Sequence, residues 1–152
     1  MTDNTAWYVT ERAEQLAIML LTRMANLRIS REVREQGLDL VVTIESGNLA
    51  ERSFGIEVKA TKKMRSLVNS NGMVKKEVAV RLSQRARAHS FPVGVLIVDV
   101  VSDIARFGWI LKPESTGPMF TGNIHTDVAT NDIMRRTLEE VTRWYDRGGV
   151  RS

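Results

Sequence analysis

Apolar residues in the first part of the chain recur at helical spacing. Ala13, Leu16, Ala17, Leu20, Leu21 and Met24 form one stripe, predicting a helix over residues 10–24 capped by Thr10, with Glu11 in its first turn. At about 100° per residue, Glu14 sits about 90° from the stripe's centre and Glu11 about 150° from it. Glu14 therefore lies at the edge of the buried face, and Glu11 points to water. After Gly37, which breaks the polar stretch 31–36, the period becomes two. Leu38, Leu40, Val42 and Ile44 alternate with Asp39, Val41, Thr43 and Glu45, the pattern of a strand that Asp39 begins on its non-core face. Ser46-Gly47-Asn48 marks a turn, and residues 54–61 return as the second strand of a hairpin. On that strand Ile56, Val58 and Ala60 face one side; Glu57, Lys59 and Thr61 face the other.

Asn69-Ser70-Asn71-Gly72 is a loop signal. Residues 74–89 read two ways: Val78, Val80 and Leu82 alternate like a strand, while residues 82–88 read as a short helix with Ser83 as its cap. The expectation is an extended entry followed by a helix. Residues 91–101 are nearly continuous and β-branched, as in the middle of an α/β sheet. Asp103 turns the chain into a strand over 106–111 that ends at Pro113, and residues 113–127 read as a Gly/Thr-rich loop. A last helix over 131–145 stops at Gly148-Gly149. The order is α-β-β-β-(α)-β-β-α, an α/β protein with a mixed central sheet flanked by helices.

At 152 residues the chain fits one domain, residues 1–152. It has no cysteine, which excludes a disulfide framework, a thiolate nucleophile and any cysteine-ligated zinc. There is no run long enough for a membrane span and no basic leader with an apolar core, so a cytoplasmic location is expected. The net charge of +4 is unevenly spread. Residues 61–112 hold 10 Lys/Arg against 3 Asp/Glu, while residues 1–60 hold 7 against 9. A basic middle beside an acidic first third suits a surface that handles phosphodiesters: cations grip the backbone and carboxylates hold metal.

The carboxylates carry the candidate chemistry. Glu57 and Lys59 project from one strand face, the hairpin can share that face with Asp39, and Glu14 comes from a helix that must pack on the sheet. Asp39, Glu57 and Glu14 with Lys59 leave two negative charges, matching one hard divalent cation, Mg²⁺ or Mn²⁺, bound through oxygen. Such an ion polarises a phosphoryl oxygen and acidifies a bound water, while a neighbouring lysine orients that water or stabilises developing charge.

Ala13-Glu14 on the first helix, Gly37-Leu38-Asp39-Leu40-Val41-Val42, then Gly55-Ile56-Glu57-Val58-Lys59-Ala60-Thr61 stand in an order that resembles the PD-(D/E)xK nuclease superfamily. Its small prokaryotic and phage branches are nearest, archaeal Holliday-junction resolvases more loosely. Leu38 occupies the place of the motif's proline. The motif resemblance covers residues 10–61, and the pattern extends to about residue 111. It implies a restriction-endonuclease-like core, α-β-β-β-α-β, with an extra strand and a C-terminal helix. It also implies metal ligation by Asp39, Glu57, the Val58 carbonyl and Glu14, with Lys59 assisting the attacking water and Glu11 as the rival helix carboxylate.

Thr61, Lys62, Lys63 and Arg65 follow the motif and are placed to grip phosphates at the site mouth. Lys75, Lys76, Arg81, Arg85 and Arg87 extend a track along a nucleic-acid backbone, with DNA the expected partner. Gln84 is read as a surface residue, and His89 and His125 are too isolated for a metal cage. No Walker-type loop is present. Cutting both strands of a duplex needs two sites, so a homodimer is expected. The alternative from the same residues is a catalytically inactive module of this fold that binds nucleic acid or a protein partner.

Overall fold

Val9, Ala13, Glu14, Ala17 and Leu21 bury one stripe of the first helix, α1 (Trp7–Thr22). The structure, a computed structural model, describes residues 7–24, 26–31, 38–45, 52–114, 117–120 and 122–148, apart from the side chains of 117–119. Thr10 lies inside α1 rather than capping it. The expected turn at 46–48, Gly37 with the polar stretch after Arg31, and Gly149 lie outside the described residues.

Among the described residues, seven strands form the sheet. β1 (Leu27–Arg31), β2 (Leu40–Ile44) and β3 (Arg52–Thr61) run antiparallel to one another in sequence order. The chain then makes a 3₁₀ turn at Met64–Ser66, crosses through α2 (Lys76–Ala86), and returns as β4 (Val93–Asp99), parallel to β3. β5 (Ile104–Glu114) lies antiparallel to β4. The outer edge of β5 takes both β6 (Gly117–Met119) and β7 (Thr126–Val128). α3 (Asn131–Asp146) closes the fold, capped by the Thr130 hydroxyl, which accepts from the Ile133 amide. The result is an α/β architecture with a mixed sheet and three helices.

Five elements differ from expectation. β1 was not anticipated; it is short, with Leu27 and Ile29 packing against the core, exposed Arg28 and Ser30 alternating with them, and Arg31 following on their face. Residues 76–86 are one helix. Val78, Ala79, Leu82, Ser83 and Ala86 are buried at helical spacing while Val80 is exposed, so the apparent strand alternation gives way to the 3.6-residue period. Ser83 sits inside this helix, its hydroxyl donating to the Val80 carbonyl. β5 runs through Pro113, and the expected loop carries β6 and β7. Pro113 is tolerated because its pairing there is with the short outer strand β6.

The sheet separates two cores. Leu40, Val42, Phe54, Ile56, Leu96, Val98 and Phe107 pack with α1 and α3. Leu38, Val93, Val95, Ile97 and Ile110 pack with α2 on the other side. Among the described residues no helix is long and apolar enough to cross a membrane.

Candidate functional site

Leu38 belongs to the α2 core and Leu40 to the α1 core. Residues two apart on a regular strand share a face, so the extended pattern does not reach back to Leu38. Asp39 occupies a bend immediately before β2; it does not begin the strand on its non-core face. Gly55 permits this path, since a Cβ there would lie 2.7 Å from Leu38 Cδ1.

The bend turns the Asp39 carboxylate onto β3. The β2–β3 ladder ends at Leu40 and Ile56, whereas β3 stays paired with β4 as far as Thr61. Beyond the end of β2, Asp39 Oδ2 accepts the Val58 amide at 2.7 Å. The N–H and C=O of one strand residue point to the same edge, so the Val58 carbonyl shares the edge on which Asp39 sits. Asp39 thus stands against the residue between Glu57 and Lys59.

Glu57 and Lys59 line a cleft of about 110 Å³ between β3 and α2, together with Val58, Val78, Arg81, Leu82 and Arg85. The period-two expectation that both side chains share a face agrees with this placement. Glu57 is buried, and its Oε2 lies 3.4 Å from Arg85 Nη2. Burying a carboxylate is costly unless a cation or hydrogen-bond donors accompany it, and Arg85 supplies positive charge there.

Glu14 is buried on α1, on the edge of the stripe as expected, and Glu11 is more exposed. Both reach Arg31 of β1: Glu14 Oε1 at 3.4 Å and Glu11 Oε2 at 3.5 Å. Among the described residues, no group of three or more His, Asp or Glu side chains is arranged to hold a metal ion. Glu14 is therefore not brought to Asp39 and Glu57 as a third carboxylate. It packs with α1, whereas Glu57 opens toward α2 on the opposite side of the sheet. Sequence reasoning missed Arg31 because it missed β1; the alternation of Leu27 and Ile29 with Arg28 and Ser30 was the available signal.

Of the basic residues, Lys59, Arg81 and Arg85 line the cleft. Thr61 closes a tight turn in which its hydroxyl donates to the Lys63 carbonyl and accepts from the Lys63 amide. Lys62, Lys63 and Arg65 are exposed beyond it. The following 3₁₀ turn is pinned by Asp99 Oδ2, which accepts the Met64 amide at 3.2 Å. Lys75 precedes α2 and is exposed; Lys76 donates to the Gly122 carbonyl at 3.1 Å, tying the start of the helix to the segment after β6. Arg81 and Arg85 lie one helical turn apart over the cleft.

The Asp39 and Glu57 carboxylates and the Val58 carbonyl are all hard oxygen, the donor chemistry that Mg²⁺ or Mn²⁺ takes; Asp39 meets β3 at its β2 edge, and Glu57 lies in the cleft toward α2. Comparison of the chain with protein-family models, curated proteins and solved structures gives no match.

Proposed function

We propose that this protein is a metal-dependent nuclease that hydrolyses phosphodiester bonds in DNA, built on a restriction-endonuclease-like core. The order α1-β1-β2-β3-α2-β4 supports the fold part of this reading, because it is the α-β-β-β-α-β order that the motif resemblance implies. The observation that carries the function is the bond from the Val58 amide to Asp39, which holds one carboxylate against the Glu57-x-Lys59 segment. In this reading Asp39, Glu57 and the Val58 carbonyl hold Mg²⁺ or Mn²⁺, and Glu14 positions β1 through Arg31. The bound ion supplies Lewis acidity and a water of lowered pKa. Lys59 orients the attacking water and stabilises negative charge on the phosphoryl oxygens. Lys62, Lys63, Arg65, Lys75, Arg81 and Arg85 hold the backbone phosphates without reading sequence. A double-strand cut uses two such sites, one from each of two copies of the chain.

The second reading, a nucleic-acid-binding module without catalysis, is favoured by the arginine partners of Glu57 and Glu14. Incubation with supercoiled, linear and single-stranded DNA, with and without Mn²⁺, separates the two. Cleavage that requires Mn²⁺ and is lost in Asp39→Ala supports the nuclease. DNA binding that ignores metal and weakens steeply with salt, with no cleavage, supports the module.

A further inference from the structure

Glu57 and Arg85 meet in the cleft on unequal terms. The side chain of Glu57 is 3% exposed and fixed on the sheet, whereas that of Arg85 is 55% exposed on α2. A buried carboxylate needs a positive partner wherever it stands, but an arginine whose side chain is more than half exposed can turn away once another cation takes its place. Arg81, one turn earlier, lines the same cleft and has no ion pair among the described residues. A guanidinium fork fits phosphate oxygens as well as it fits a carboxylate.

We propose that Arg85 is a switchable counter-ion, paired with Glu57 in the resting protein and transferred to a backbone phosphate of the nucleic acid when a divalent cation takes Glu57. This rests on the reading of Asp39 and Glu57 as cation ligands. Divalent cation and guanidinium compete for one carboxylate, so each ligand removes the other's competitor. The cation frees Arg85 for phosphate, and phosphate frees Glu57 for the cation. By linkage each raises the affinity of the other by the same factor. Lys59, Arg81 and Arg85 then form the cationic wall against which the phosphate lies.

The test uses the full chain and measures Mn²⁺ binding by calorimetry, with and without a short phosphorothioate DNA duplex that resists hydrolysis. The duplex is expected to raise Mn²⁺ affinity about tenfold. In Arg85→Gln, Mn²⁺ affinity without duplex rises severalfold, and the enhancement by duplex falls from about tenfold to less than about twofold. Arg81→Gln removes an equal charge from the same cleft and weakens duplex binding, but at saturating duplex it keeps the enhancement. Full enhancement in Arg85→Gln, or equal loss in Arg81→Gln, overturns the switch. A second route does not depend on Arg85→Gln folding. Glu57→Gln frees Arg85 and raises metal-free duplex affinity, and an unchanged affinity in that variant overturns the switch. If Asp39→Ala abolishes Mn²⁺ binding while Arg85→Gln leaves coupling intact, only the switch falls. If Asp39→Ala binds Mn²⁺ like the parent protein, the cation site and the switch fall together.

Discussion

Asp39 Oδ2 accepts the Val58 amide at 2.7 Å, at the point where β2 has ended and β3 continues beside β4. The carboxylate does what the next backbone carbonyl of β2 would do, satisfying a strand N–H that would otherwise lose its partner. A hydrogen bond to a charged acceptor contributes about 1.5–3 kcal/mol. Asp39→Ala is expected to lower stability by about that amount in urea unfolding. Asp39→Asn keeps an acceptor oxygen and restores at least half of the loss. The two roles then part, because Mn²⁺ is expected to raise the melting temperature of the parent protein and of neither variant.

Leu38 lies over Gly55, where an added Cβ would come within 2.7 Å of Leu38 Cδ1 and 3.3 Å of Phe91 Cε1. Leu38 is itself fully buried and has little room to retreat. Gly55→Ala should cost about 1–3 kcal/mol through overpacking. Combining it with Leu38→Ala should recover part of that cost, giving a coupling energy in a double-mutant cycle. Additive losses would mean that the two residues do not press on each other.

Lys59 lines the α2 cleft beside Glu57. Lys59→Met is expected to reduce the cleavage rate by about 10²-fold or more while the Mn²⁺-dependent gain in melting temperature persists. Cleavage at the parent rate would remove the lysine from the mechanism.

Tyr145 donates its hydroxyl to the Ser53 carbonyl at 2.6 Å, joining α3 to the start of β3. Desolvation raises its pKa above the ordinary 10.0. The folded state therefore favours the neutral phenol. Its contribution to stability is fully present below pH 10.0 and is lost as pH rises through the higher folded value. Urea midpoints measured from pH 9 upward should fall more steeply for the parent protein than for Tyr145→Phe.

The legible parts of the fold were those whose periodicity had no competitor. The α1 stripe, the β2–β3 hairpin and the apolar run of β4 could be read directly. In α2, two β-branched residues at alternate positions imitated a strand, although Ala79, Leu82 and Ala86 carried the helical face. β6 and β7 are three residues each, too short for a period to register. For the site, spacing by two placed Glu57 and Lys59 together, and both line the cleft. Spacing could not reveal the bend at Asp39, which depends on Leu38 reaching across to Gly55. Nor could it give the partners of Glu14 and Glu57, because Arg31 and Arg85 come from elements whose positions only tertiary pairing decides.

The division of the interior by the sheet has a consequence for the cleft beside α2. Two of the three helices sit in one compartment, and the cleft opens into the other, which α2 shares with the connecting segment around Val68 and Val74. Loosening of α2 would widen the groove without disturbing the larger half, much as a door swings on a wall that stays still. Amide hydrogen exchange is accordingly expected to be faster along α2 than in the buried stretches of α1 and α3, and equal rates would mean that the two compartments open together.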